Sequence, residues 1–147
     1  MHSQLSPFIR SDISYKTIRF NLTNIGRTLN ISVKNSITNN SVKIPCRTYP
    51  SVPCEIIHAG LKVEFEPVKG KTIKGAYNLK GSNVWDSALT FTADMYKSET
   101  HMCVSFTGPY KHFKLSKGGA ILTDDHDAML WFKRARFSGR RECSYHD

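Results

Sequence analysis

The sequence predicts a mainly antiparallel all-β chain, a sandwich or partly open barrel of seven or eight short strands with one candidate helix near the C-terminal end. Three observations carry this expectation. Apolar residues alternate with polar ones in run after run, turn signals of Gly, Pro and Asn separate the runs at short intervals, and only one segment has the composition and capping residues of a helix. The links between runs leave no room for the crossover helices of a βαβ arrangement, so parallel pairing is not expected.

Taken in order, Ile18-Arg19-Phe20-Asn21-Leu22 puts its apolar residues on one face. Leu29-Asn30-Ile31-Ser32-Val33 repeats the pattern after a link containing Gly26, which predicts a hairpin. Val42 to Ile44 predicts a further short strand. Pro45, Pro50 and Pro53 then predict an irregular crossing, since proline donates nothing to a central ladder. Leu61, Val63 and Phe65 alternate with Lys62, Glu64 and Glu66 until Pro67 and Gly70 turn the chain, and Ile73, Gly75, Tyr77 and Leu79 continue in the same phase. After a turn at Gly81-Ser82-Asn83, the residues Leu89, Phe91, Ala93 and Met95 alternate with polar neighbours as far as Tyr96. Lys97 to Thr100 predicts a hairpin connection into Met102, Val104 and Phe106, which Gly108-Pro109 stops. Phe113 and Leu115 fit a short edge strand, and Ala120 to Leu122 a last one. Thr123 to Asp127 offers helix-capping oxygens ahead of Ala128 to Phe137, a stretch of good helix formers; its apolar residues lack a clear 3.6 period, so a buried strand stays open there.

With 147 residues, 39% of them hydrophobic and 22% charged, the chain has the length and the core material of one domain. Residues 1–147 are therefore read as a single β-rich domain whose last part, 128–147, is a basic segment. Met1 to Asp12 is polar and broken by Pro7, unlike the apolar stretch of a secretory signal. The most extended apolar run, Ala128 to Phe132, falls far below the roughly 18 to 20 residues that span a bilayer. The expected location is cytoplasmic or nuclear, not secreted, with no transmembrane segment. In such a compartment Cys46, Cys54, Cys103 and Cys143 are read as reduced thiols.

The formal net charge of +9 is unevenly distributed. No acid lies between Asp12 and Glu55, while Lys16, Arg19, Arg27, Lys34, Lys43 and Arg47 all do. Acid-free stretches recur at Lys69 to Lys80, Lys111 to Lys117 and Lys133 to Arg141, and the acids gather in Glu55 to Glu66, Asp86 to Glu99 and Asp124 to Asp127. This segregation predicts a positive field over part of the surface and a phosphate-rich partner. The most suggestive stretch runs from Trp131 to Arg141, where Lys133, Arg134, Arg136, Arg140 and Arg141 place five cations in nine residues beside the aromatics Trp131 and Phe137. Arginine forks hold phosphates at two points and aromatic faces stack on unpaired bases, so this interleaving suits single-stranded nucleic acid. Arg19 and Lys34, on predicted strand faces, extend the candidate surface. The same string also suits a nuclear import signal or anionic lipid headgroups.

Catalytic and cofactor signatures are absent: there is no Gly-x-Ser-x-Gly, no phosphate loop and no Gly-x-Gly-x-x-Gly. Cys46, Cys54, His58, His101 and Cys103 are residue types that bind zinc, but their spacing lacks the close paired ligands of a preorganised site, so neither metal nor cofactor is expected. The expected function is a non-enzymatic nucleic-acid-binding protein, for RNA or single-stranded DNA, of an accessory or structural kind met in viruses. One alternative is a viral matrix- or capsid-type assembly protein, whose strands make homo-oligomer contacts and whose basic face meets nucleoprotein or an anionic membrane surface. The other is a small nuclease using Asp124 to Asp127 with His58 or His112.

Overall fold

On strand β2 (Ser41–Pro45) Val42 and Ile44 are fully buried while Lys43 faces solvent, the pleat that the alternation implied. The computed structural model describes residues 18–19, 40–69, 75–111 and 118–136. These include β1 (Ile18–Arg19), β2, helix α1 (Ser51–His58), β3 (Lys62–Glu66), β4 (Tyr77–Asn78), β5 (Val84–Asp86), β6 (His101–Ser105), β7 (Gly119–Leu122) and helix α2 (His126–Arg136). Among the described residues the chain is mainly β, with two sheets and two short helices. The strands expected at Leu29 to Val33 and Phe113 to Leu115, and the ends of those expected over Phe20 to Leu22 and at Ile73, lie outside the described residues.

The first correction concerns βαβ units. β2 and β3 run parallel, Val42 opposite Val63 and Ile44 opposite Phe65, and α1 is the crossover between them. The irregular crossing expected from the prolines is thus a helix. Pro50 sits at its N-cap and Pro53 in its first turn, where a backbone N–H has no intrahelical partner to lose. α1 ends in a tight αL turn: Gly60 takes φ +78°, its N–H donates to Ile57 C=O at 2.9 Å, and Leu61 N–H donates to Ile56 C=O at 3.2 Å. Leu61 and Ile56 meet in the core and fix the angle at which β3 leaves.

The larger sheet has the order β1-β7-β6-β5-β4. Its other three pairs are antiparallel, but β5 and β6 are parallel, Trp85 opposite Met102. That overturns the hairpin expected at Lys97 to Thr100. The strand expected over Leu89 to Tyr96 is instead an irregular crossing, interrupted at Asp94 by φ 54°. A reciprocal pair of 3.0 Å bonds between Lys43 and Lys80 joins β2 to the chain just beyond β4, tying the small sheet to the edge of the large one.

Two apolar clusters lie on opposite faces of the large sheet. One gathers Val42, Ile44, Val52, Ile56 and Leu61 of the βαβ unit with Val84, Cys103, Ile121 and with Ala128, Met129 and Phe132 of α2. The other gathers Met102, Val104, Ala120 and Leu122 under Phe91, Met95, Tyr96 and Phe106. The loop between β5 and β6 therefore serves as a lid of side chains over the second face, with Phe91 and Phe106 edge to face at 5.7 Å. No helix formed by the described residues is long and apolar enough to cross a membrane.

Candidate functional site

The segment left open between helix and strand is a helix, and its start explains the acidic run before it. Asp125 Oδ1 accepts the Ala128 N–H at 2.9 Å and Asp125 C=O accepts the Met129 N–H at 3.0 Å, so Asp125 is the N-cap of α2. Asp127 lies in the first turn and Lys133, Arg134 and Arg136 in the last two, both favourable to the helix dipole. Asp124 Oδ2 accepts the Glu99 N–H at 3.1 Å. Burial pushes the Asp124 carboxyl up, but the Tyr96 hydroxyl and backbone N–H groups outweigh it and hold the pKa below the ordinary value. Asp124 and Asp125, proposed partners in a nuclease, are thus engaged in binding backbone.

Ala128, Met129 and Phe132 share one side of α2 and are buried, Phe132 completely. Their spacing sets the opposite side outward: Leu130 and Arg134 are exposed, Trp131 retains 39% of its surface, and Lys133 is half-buried. Trp131 and Arg134, three residues apart, lie on neighbouring turns of the same face. The Trp131 ring meets Phe132 edge-on at 5.7 Å, so the core residue steadies the exposed one. Arg136 lies on the last turn, with only its backbone described, as for Arg19 on β1. Lys34, Phe137, Arg140, Arg141, His112 and Cys143 lie outside the described residues.

The positive charge of the acid-free stretches does not form a bare surface on the βαβ unit. Lys43 Nζ stands 3.5 Å from Glu64 because parallel β2 and β3 lie side by side, and Lys80 Nζ, brought in by the bridge to Lys43, stands 2.7 Å from Glu66. Glu64, hydrogen-bonded by Ser41 Oγ at 2.8 Å and attracted by Lys43, has its pKa lowered. Lys97 lies over Trp85 at 4.8 Å, and Lys111 Nζ donates to Ala88 C=O at 2.8 Å, its pKa lowered by burial.

The residue types suited to zinc are spread apart. Cys46 and Cys54 are exposed, Cys103 is buried, and His58 is exposed beside Glu55 at 4.0 Å. Among the described residues no three His, Cys, Asp or Glu side chains come together as a metal site.

Two buried polar networks went unread in the sequence. His101 is 2% exposed, its Nδ1 2.9 Å from Thr123 Oγ1 and its ring edge-on to Phe132 at 5.8 Å. Burial lowers its pKa, against the pull of Asp125 and Asp124. Tyr77 Oη donates to Asp86 Oδ2 at 2.7 Å, which leaves the Thr48 hydroxyl to donate to Tyr77 at 2.5 Å. Burial, and next the charge of Asp86, raise the Tyr77 pKa. An Asp directly after Val84 and Trp85 was the available signal for the second network. Nothing in the spacing marked the first.

Comparison with family models, with curated proteins and with solved structures returned no match to this chain.

Proposed function

We propose that the protein binds single-stranded nucleic acid, RNA or DNA, through the outer face of α2, as an accessory or structural component without catalytic activity. The observation that carries this reading is the division of α2 into a face held by Ala128, Met129 and Phe132 and an opposite face presenting Trp131 beside Arg134. A tryptophan held at one edge and open at the other is a stacking platform for a base, and the neighbouring guanidinium suits the adjoining phosphate. Arg136, and in the sequence beyond it Phe137, Arg140 and Arg141, continue the same chemistry.

The test is a salt series of binding to single-stranded RNA, single-stranded DNA, duplex DNA and anionic liposomes. Affinity for the single strands should fall linearly with salt on logarithmic axes, by about 0.7 in slope per phosphate contact. Trp131→Ala should weaken binding by about 5- to 150-fold, the roughly 1–3 kcal/mol of one stacked base, and Arg134→Gln should lower the slope by about 0.7. Arg134 is exposed, so Arg134→Gln should barely move the melting curve, whereas Trp131→Ala gives up the contact with Phe132, should melt lower, and is compared below its melting range. Liposome binding alone, or wild-type affinity in both variants, would remove this reading.

A further inference from the structure

β3 is the outermost strand of the small sheet: β2 covers one of its edges, and no strand among the described residues covers the other. The ladder fixes which groups face that open edge. Lys62 N–H donates to Asn40 C=O and Cys46 N–H donates to Glu66 C=O, so Lys62, Glu64 and Glu66 turn their backbone groups towards β2. Val63 and Phe65, between them, turn N–H and C=O outward, and the Phe65 side chain is 58% exposed. Along this strand the charges run Lys62, Glu64, Glu66, positive at one end and acidic at the other, with Glu66 also holding Lys80 at 2.7 Å. Such a sequence complements its own reverse.

We infer that β3 pairs antiparallel with β3 of a second copy of this chain across a two-fold axis, Val63 lying opposite the partner's Phe65. In this register both outward-facing residues of each copy exchange N–H and C=O bonds. Each Lys62 then stands opposite the partner's Glu66 at the close, non-hydrogen-bonded positions, and Phe65 lies over the partner's Val63, itself packed on the core. Glu64 meets the partner's Glu64 at the axis, and on each copy Ser41 Oγ at 2.8 Å and Lys43 Nζ at 3.5 Å offset that repulsion. Sliding one way by two residues sets both Glu64 side chains against Glu66. Sliding the other way asks for a bond from Leu61, whose N–H already donates to Ile56 C=O. Unpaired edges attract any strand, and these charges restrict this one to its own copy.

A five-residue strand buries less than a permanent interface needs, so the dimer should depend on concentration. Sedimentation velocity across a micromolar series should show it. Lys62→Glu and Glu66→Lys each place like charges opposite one another and should weaken dimerisation about tenfold. Mixed in equal amounts, the two variants should re-form a dimer, because each then meets its opposite. Phe65→Pro removes an N–H that faces away from β2 and should give a folded monomer. Wild type that stays monomeric throughout, either charge variant dimerising like wild type, or a mixture that stays monomeric would each overturn the inference. Should Glu66→Lys unfold on losing Lys80, undiminished dimerisation of Lys62→Glu or of Phe65→Pro would do so.

Discussion

Acidification from pH 7.5 to 5.5 should destabilise the protein through His101. The imidazole is buried between Thr123, which bonds Nδ1 at 2.9 Å, and Phe132, whose ring stands edge-on at 5.8 Å. Asp125 and Asp124 are the charged groups that act on it, and both favour the imidazolium, but burial outweighs them and the native pKa lies below the ordinary 6.5. Below that pH the unfolded chain binds a proton that the native chain refuses, so stability is present above 6.5 and is lost as the pH falls towards the native pKa. One proton is worth about 1.4 kcal/mol per pH unit, which over this interval, starting from a largely neutral unfolded imidazole, sets a ceiling of about 1.4 kcal/mol. Urea unfolding of wild type and of His101→Gln at several pH values isolates the effect, since glutamine retains a hydrogen bond to Thr123 and does not titrate. The stability of wild type relative to the variant should fall on acidification. Parallel pH curves, or a relative gain at low pH, would refute the reasoning.

Phe132→Ala removes the aromatic that seats α2, is completely buried and touches His101 and Trp131; it should cost about 3–5 kcal/mol in chemical denaturation. Asp125→Ala should cost about 1 kcal/mol and reduce helical circular dichroism by unwinding the first turn of α2, whereas Asp125→Asn should retain most of the cap. Tyr77→Phe takes the donor from Asp86, which is 6% exposed, and should cost about 1.5–3 kcal/mol. A double-mutant cycle with Thr48→Ala should show non-additive losses, because the two hydroxyls form one chain to the carboxylate.

Elements with one face on the core and one in solvent were legible in the sequence, and the others were not. β2 alternates between buried Val42, Ile44 and exposed Lys43, and the sequence placed it to within a residue at each end. α2 was recognisable from its cap and composition, while its apolar run defeated the periodicity test because Leu130 and Trp131 are carried outward beside buried Met129 and Phe132. Alternation also misled at Leu89 to Met95, where Phe91 and Met95 pack down without any ladder. β5 was missed because it has three residues and ends in a buried aspartate whose partners are Tyr77 and the Ala88 N–H. Parallel pairing was illegible in principle: the pleat of β3 looks the same whichever way its neighbour runs, and α1 was hidden behind prolines that a first turn accepts. Of the proposed interface, composition singled out the segment, but which of Trp131 and Phe132 faces outward depended on the core.

The fourteen-residue path from β5 to β6 has a consequence for synthesis. When Met102, Cys103 and Val104 leave the ribosome, the residues of β5 have left before them, but Gly119 to Leu122, which completes their other flank, is still inside. For that interval an apolar triplet, flanked in the chain by His101 and Ser105, is open along one edge, the kind of stretch that nascent chains use to stick to one another. Slowing translation while Met102 to Val104 are outside the ribosome and Gly119 to Leu122 are still within it should therefore lower the yield of native protein more than slowing it earlier in the chain.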